Sequence, residues 1–286
     1  MYEVSTPIEP HWTARTAEAA DYEFFLRCLS ELASDDPVPS KERWLASYAP
    51  NTVILEAEGK RVGYGYAWSF GEWSHVSHVV VDPESRGRGV GDHLMRVLAA
   101  RLHAAGSRNW RLHVRPANEP ALRLYRAFGL SKVYPAWLNW LGREALSSLP
   151  SANPEWIRAE VDPDEEEALE LRWNLLPGSI RRFRAPGRHV VRLVAPEHAG
   201  DPAPALALFD PAYSGASVFR CRSPSLVRPI VEELFALTPS DAPRISIFVE
   251  EDAWLSRLLV DAGATLRMEV LQMRGAIPSV AEAASP

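Results

Sequence analysis

The sequence predicts an α+β fold made of two similar modules in tandem, each a mixed, mostly antiparallel twisted sheet flanked by helices. Three observations carry this expectation. Hairpin-like strand pairs come first and β-α-β crossovers follow, which calls for a sheet with both antiparallel and parallel pairs. The same order of elements recurs in the second half. Glycines that stop a helix stand at 129 and 263, an offset of 134.

The elements follow from local pattern. Asp21 to Leu32 is an amphipathic helix with Phe24, Phe25, Leu26, Cys28 and Leu29 on its apolar side. A polar, proline-bearing stretch, 34–40, leads to a short helix over 41–48. Residues 52–58 and 61–69 alternate as the arms of a hairpin around Gly59-Lys60. His75 to Val81 is a third strand ending at Asp82-Pro83. Gly89 to Ala105 is a helix stopped by Gly106. Strand 110–114, helix 119–128 and an extended segment 131–141 complete the first module, with a short strand ahead of the first helix. Residues 147–153 read as a linker. Beyond it come strand 156–161, a helix opened by Asp162-Pro163, strands 190–194, 205–209 and 216–221, helix 225–237, strand 244–249, helix 252–262 and strand 266–273. The expected domains are 1–146, 154–278 and a disordered tail, 279–286.

Composition bounds the function. The 286 residues are 47% hydrophobic and 24% charged, which is globular, and the length suits about two domains. Residues 1–150 hold 17 Lys+Arg and 17 Asp+Glu. The remainder therefore holds 31 − 17 = 14 and 37 − 17 = 20, a net of −6. Such a chain has no general attraction to nucleic acid, so any anion site is local. No apolar run reaches the ~18 residues of a membrane span, and the N-terminus lacks a secretory pattern. A cytoplasmic protein with no membrane partner is expected. Two cysteines, Cys28 and Cys221, cannot make a disulfide framework or a metal site, and both fall on apolar elements.

Most informative is the run Val79-Val80-Val81-Asp82-Pro83-Glu84-Ser85-Arg86-Gly87-Arg88-Gly89-Val90-Gly91, which follows a strand and opens a helix. Three glycines in five residues let the backbone fold tightly and turn its N–H groups toward one point. The helix start adds its dipole and unpaired donors, and Arg86 and Arg88 add charge. The product is a pocket for a diphosphate. A Walker loop would need Gly-Lys-Ser/Thr where Val90-Gly91-Asp92 stands. The dinucleotide fingerprint would need a later third glycine and an acid near His113-Val114-Arg115.

Arg86-x-x-Gly89-x-Gly91 after a Val-x-Val strand resembles the acyl-CoA pyrophosphate loop of the GNAT superfamily of N-acyltransferases. Asn118-x-x-Ala121-x-x-Leu124-Tyr125-x-x-x-Gly129-Leu130 resembles a second motif of that family, with Leu130 in place of Phe. The motifs cover residues 75–134, and the element order extends the resemblance to 10–142. It implies acetyl-CoA as acyl donor, no metal, and transfer to a primary amine by direct attack through a tetrahedral intermediate.

The chemistry needs a neutral amine, an oxyanion donor and an acid for the departing thiolate. The resemblance puts Tyr125 near the thioester sulfur as general acid; a packed helix tyrosine is the plainer reading. It puts the Asn118 side chain on the pantetheine arm, although an N-cap is equally natural there. Val79 and Val81 share a face, and their backbone groups would bind the cofactor like an added strand, together with Arg86, Gly87, Arg88, Gly89, Val90 and Gly91. Some members carry a carboxylate eleven residues before the loop's first basic residue. That count lands on His75, a candidate base sharing a face with Ser77 and Val79, with His78 on the other. Glu72 is the alternative, and water chains a third possibility. Acceptor contacts are expected from 24–48, where Asp35, Asp36, Glu42 and Trp44 lie, with Trp68 and Trp73; carboxylates plus aromatics suit a cationic amine.

The second module lacks both devices. Phe219 to Leu226 has no glycine, and Leu259 stands four residues before Gly263 where Tyr125 precedes Gly129. A degenerate module is expected, serving as a built-in dimer partner of a monomeric chain. Its acidic run 162–167 reads as a helix start and its Arg181, Arg182, Arg184 and Arg188 as a solvated basic loop. Two other functions remain open: a biosynthetic acetyltransferase of mycothiol-synthase type, and a non-catalytic acyl-CoA sensor. The acceptor, a small molecule or a peptide amine, is not named by the sequence.

Overall fold

A computed structural model describes residues 12–32, 38–151, 156–194 and 204–278. Asp35, Asp36, part of the expected linker and the expected tail lie outside the described residues.

The first half runs β1 (Trp12–Thr16), α1 (Tyr22–Leu29), α2 (Lys41–Arg43) continued by a π-helical turn Trp44–Tyr48, β2 (Thr52–Ala57), β3 (Lys60–Phe70), β4 (Trp73–Val81), α3 (Val90–Ala104), β5 (Asn109–Val114), α4 (Glu119–Ala127) and β6 (Ser131–Gly142). The second half repeats that order: β7 (Ile157–Ala159), α5 (Glu166–Arg172), α6 (Ser179–Phe183), β8 (His189–Val194), β9 (Ala205–Asp210), β10 (Gly215–Cys221), α7 (Val227–Leu237), β11 (Arg244–Glu250), α8 (Ala253–Asp261) and β12 (Thr265–Ala276). Both copies read β-α-α-β-β-β-α-β-α-β, and the mixed α+β architecture is the one expected.

By contact the chain forms two compact units. The first comprises the residues up to Leu112, Arg123–Leu130 and the chain from Gly275; the second comprises His113–Leu122 and Ser131–Arg274. In the first, β1 to β5 lie in chain order. The first three neighbouring pairs are antiparallel, and β5 runs parallel to β4. Phe24, Phe25, Cys28 and Trp44 of the early helices bury against Ile54, Tyr64, Tyr66 and Val80 on one sheet face. Val90 and Leu94 of α3 pack with Leu55 and Val62 on the other, and Val79 and Val81 pack there too. The side chains of Val79 and Val81 are thus core, leaving only their backbone for a ligand.

In the second unit the order is β12-β6-β11-β10-β9-β8-β7. β6 is antiparallel to β11 on one side and β12 on the other. The expected modules follow chain order, whereas the units are set by pairing, and β6 finds both its partners among 131–274. Helices α7 and α8 cover one face through Val227, Ile230, Leu234, Leu255 and Leu259.

One irregularity repeats. Tyr66 pairs with His78 and Ala67 with Val76, so Ser77 has no partner and bulges out of β4. Ala216 pairs with Phe209 and Val218 with Leu208, so Ser217 bulges from β10. The offset is 217 − 77 = 140, and each parallel pairing, β4 with β5 and β10 with β11, ends at the residue before its bulge. The bulge therefore marks where each pair of parallel strands splays.

One expectation is corrected. The basic segment is only in part a loop: Arg181 and Arg182 lie on α6 (Ser179–Phe183), Arg184 and Arg188 follow it, and the N–H groups of Gly178 and Ile180 at the start of α6 are bound by the buried Glu170 carboxylate at 2.6 and 2.7 Å. Arg184 pairs with Glu166 and Arg188 with Asp210. The cap comes from a neighbouring helix, so no local pattern announces it. The acidic run does start a helix, with Asp162 accepting from the Asp164 N–H and Glu165 returning to the Asp162 N–H.

Candidate active site

The loop is built by a sequence of local stops. The Asp82 side chain accepts from the Glu84 N–H, opening a 3-10 turn over Pro83–Ser85. Asp82 also receives Arg27 of α1 at 2.6 Å, which ties the loop's root to the helix above it. The chain then turns through Gly87 at φ 75° and Gly89 at φ 81°, left-handed values that a side chain strains. Gly89 caps α3, a 15-residue helix. As a result the backbone N–H groups of Arg88, Gly89, Val90, Gly91 and Asp92 find no acceptor among the described residues. Five consecutive donors at a helix start form an anion cradle. Gly91 matters for a different reason: a Cβ there would stand 3.3 Å from Leu124 Cδ2, so α4 and α3 approach closely at this point.

The two arginines differ in their surroundings. Arg86 meets Glu31 through Nη2 at 2.6 Å in an exposed pair that water screens. Arg88 is exposed and makes no ion pair among the described residues, and it is a cation available to the cradle.

Strand β4 supplies a free edge. Its pairing with β5 runs only from Trp73↔Asn109 to Val76↔Leu112. The Asp82 N–H bonds to Val62 O at 3.0 Å, so by two-residue alternation Val80 also faces β3, while Val79 and Val81 turn N–H and C=O to the open edge. A chain carrying amides can add there as a strand. The cradle and this edge fit the pyrophosphate and pantetheine arm of acetyl-CoA in kind.

Tyr125 lies on α4 within the first unit and is buried. Burial pushes its phenol up to about 12, so it stays protonated at physiological pH. Its hydroxyl makes no hydrogen bond among the described residues. Its carbonyl accepts the Leu130 N–H at 3.0 Å in the turn that ends α4 at Gly129. In the second unit the Ala264 N–H bonds to Leu259 O at 2.9 Å, so Leu259 occupies the corresponding place and is fully buried. Asn118 is an N-cap: its Oδ1 accepts the Ala121 N–H at 3.2 Å.

The histidines correct the sequence reading. The bulge at Ser77 breaks the alternation, so His75 opposite Trp68 and His78 opposite Tyr66 emerge on the same face. His75 stacks on Trp68 with centroids 5.1 Å apart. His78 meets Tyr66 and Tyr64, and its Nδ1 lies 3.1 Å from Tyr64 Oη. Glu72 is exposed in the β3–β4 turn, where its carbonyl accepts from Arg108 and Asn109. It stands about 30 Å along β4 from Val81 at ~3.3 Å per residue, so the fold does not bring it to the loop. Trp44 is fully buried and cannot contact an acceptor; Trp68 and Trp73 are half-buried, and Glu42 is exposed on α2.

Burial lowers the His78 pKa to about 4. The unfolded chain takes up the proton near 6.5 and the folded one near 4, so stability is full above about pH 6.5 and falls on acidification. The loss should reach about 3 kcal/mol by pH 4. Urea titrations between pH 7 and 4 should show this slope, and His78→Gln should flatten it; an unchanged slope would contradict it.

Residues 20–130 match the family model described as Acetyltransferase (GNAT) family. These residues form a GNAT-family acetyltransferase domain. A Bacillus subtilis (strain 168) protein, provisionally named a ribosomal protein bS18-alanine N-acetyltransferase, is 30% identical over 78 residues, 27% of this chain and 52% of that protein. The match thus spans about half of that curated relative. Among solved structures, an acetyltransferase-like protein from Pyrococcus horikoshii superposes with a TM-score of 0.65 at 16% identity, covering 99% of this chain and 94% of its own. A tandem GNAT protein from the clavulanic acid biosynthesis pathway gives 0.62 at 14%, covering 94% and 99%. At these identities the likeness is one of fold, and the fold is that of two GNAT modules in tandem. No helix among the described residues is long and apolar enough to cross a membrane.

Proposed function

We propose that the chain transfers an acetyl group from acetyl-CoA to a primary amine, with residues 1–146 as the catalytic module and 154–278 as a degenerate partner. The observation carrying this is the run of five unbonded N–H groups from Arg88 to Asp92 beside the open edge of β4. Arg88 and the cradle hold the diphosphate. Val79 and Val81 hold the arm's amides and place the thioester near the Ser77 bulge. The amine nitrogen attacks the thioester carbon, the C–S bond breaks, and Tyr125 donates a hydrogen bond or proton to the departing sulfur. The amine's surplus proton leaves through water or His75, and solvent restores Tyr125.

The second module keeps the fold, the bulge and the helix stop but not the cradle. Its 3-10 turn Pro224–Leu226 closes with the Leu226 N–H on Ser223 O, and no glycine lies between β10 and α7. It supports the first module without binding acyl-CoA.

The test is free-thiol release from acetyl-CoA with a panel of acceptors: small amines, a lysine-containing peptide and, prompted by the Bacillus subtilis relative's name, a peptide beginning with alanine. Tyr125→Phe should lower kcat about 10²-fold while leaving the KM for acetyl-CoA within threefold. Unchanged turnover would instead favour an acyl-CoA sensor, which needs no acid near sulfur.

A further inference from the structure

The pair formed by Tyr64 and His78 takes no part in the transfer steps assigned to the cradle, Tyr125 and His75, yet its hydrogen bond has a direction that can be deduced. Tyr64 is fully buried, and burial raises its phenol pKa well above the ordinary value, so the hydroxyl carries its proton. The acceptor found for that proton among the described residues is His78 Nδ1 at 3.1 Å. If Nδ1 held a proton instead, the phenol hydrogen would be buried without an acceptor, which is costly. Nδ1 therefore accepts. Neutral imidazole has one N–H, so it sits on Nε2. The rings that face it among the described residues are Tyr64 and Tyr66 of β3; neither is charged, and burial is what lowers the ring's pKa.

Position gives this donor a use. His78 directly precedes Val79, whose backbone faces the open edge, and directly follows the bulge where β4 and β5 part. We propose that His78 is a catalytic residue acting as a hydrogen-bond donor: its Nε2–H, fixed by Tyr64, stabilises the oxygen of the reacting carbonyl as it gains negative charge. It does not take the amine's proton. Tyr64 is a positioning residue, acting through the ring. The proposal rests on the acetyl-transfer reading, but the tautomer does not.

Two measurements test it. Nitrogen-15 NMR of histidine-labelled protein should show His78 protonated at Nε2, unprotonated at Nδ1 and not titrating between pH 5 and 8. In Tyr64→Phe the two tautomers should become comparable. An Nδ1–H ring, or titration in that window, overturns the proposal. Kinetically, His78→Ala should lower thiol release about 10²-fold, while His78→Gln, which keeps an N–H donor, should recover to within tenfold of the parent. KM for acetyl-CoA and the thermal shift given by CoA should stay within threefold, showing that the variants fold and bind. If His78→Ala turns over within threefold of the parent, or if the variants abolish a limb of the pH–rate profile between pH 5 and 8, the donor role is wrong. Loss of CoA binding by the unmodified protein would instead sink the acetyl-transfer reading itself.

Discussion

Gly89→Val should weaken CoA binding at least 100-fold. Gly89 sits at φ 81° and ψ 3° as the cap of α3, a conformation that costs a side-chain-bearing residue about 1–2 kcal/mol and a β-branched one more. Space is not the issue, since an added Cβ would meet nothing within 4 Å. The backbone must relax, and relaxation turns the N–H groups of Arg88 to Asp92 away from a common point. Hydrogen bonds to a charged group contribute about 1.5–3 kcal/mol each, so losing two accounts for the factor. A control separates strain from function. Gly59 has φ 74° and equally open surroundings, but lies in the β2–β3 turn. Gly59→Val should cost comparable stability and leave CoA affinity intact. Calorimetry with CoA on both variants decides. Equal affinities, or equal losses, would mean the loop's shape does not bind the diphosphate.

Much of the backbone geometry of the candidate site is legible in the sequence, because its signals are local. Glycine spacing after an apolar strand states that backbone donors will converge, and Gly129 and Gly263 state where helices end. The failures share a different cause. The Ser77 bulge inserts one residue without changing the alternating look of His75, Ser77 and Val79, so simple alternation puts His78 on the wrong face and hides its bond to Tyr64. Helix α6 hides because Glu170 caps it from another helix. In each case a partner distant in sequence overrides a sound local expectation.

Glu250 shows how far such partnerships reach, and removing its charge should strongly destabilise the second unit. The side chain is 5% exposed and accepts from Arg220 at 3.0 Å, Gln272 at 2.9 Å and His113 at 3.1 Å. The three donors come from β10, β12 and β5. Gln272 in turn accepts from Arg274, which also reaches Tyr134 at 2.7 Å. Glu250→Gln keeps the volume but leaves the nearly buried Arg220 guanidinium without its counter-charge, and it turns amide hydrogens toward donors that need an acceptor. Breaking one side of a buried pair in this way costs about 3–5 kcal/mol, which at about 2–4 °C per kcal/mol lowers Tm by roughly 10 °C. The cost lies in the uncompensated charge, not in the lost bond alone. Arg220→Gln in the same chain should therefore restore at least half of the loss, a coupling that independent sites would not show. Calorimetric melting of the two single variants and the double variant measures it. If the double variant melts at the sum of the single losses, Arg220 and Glu250 do not depend on each other.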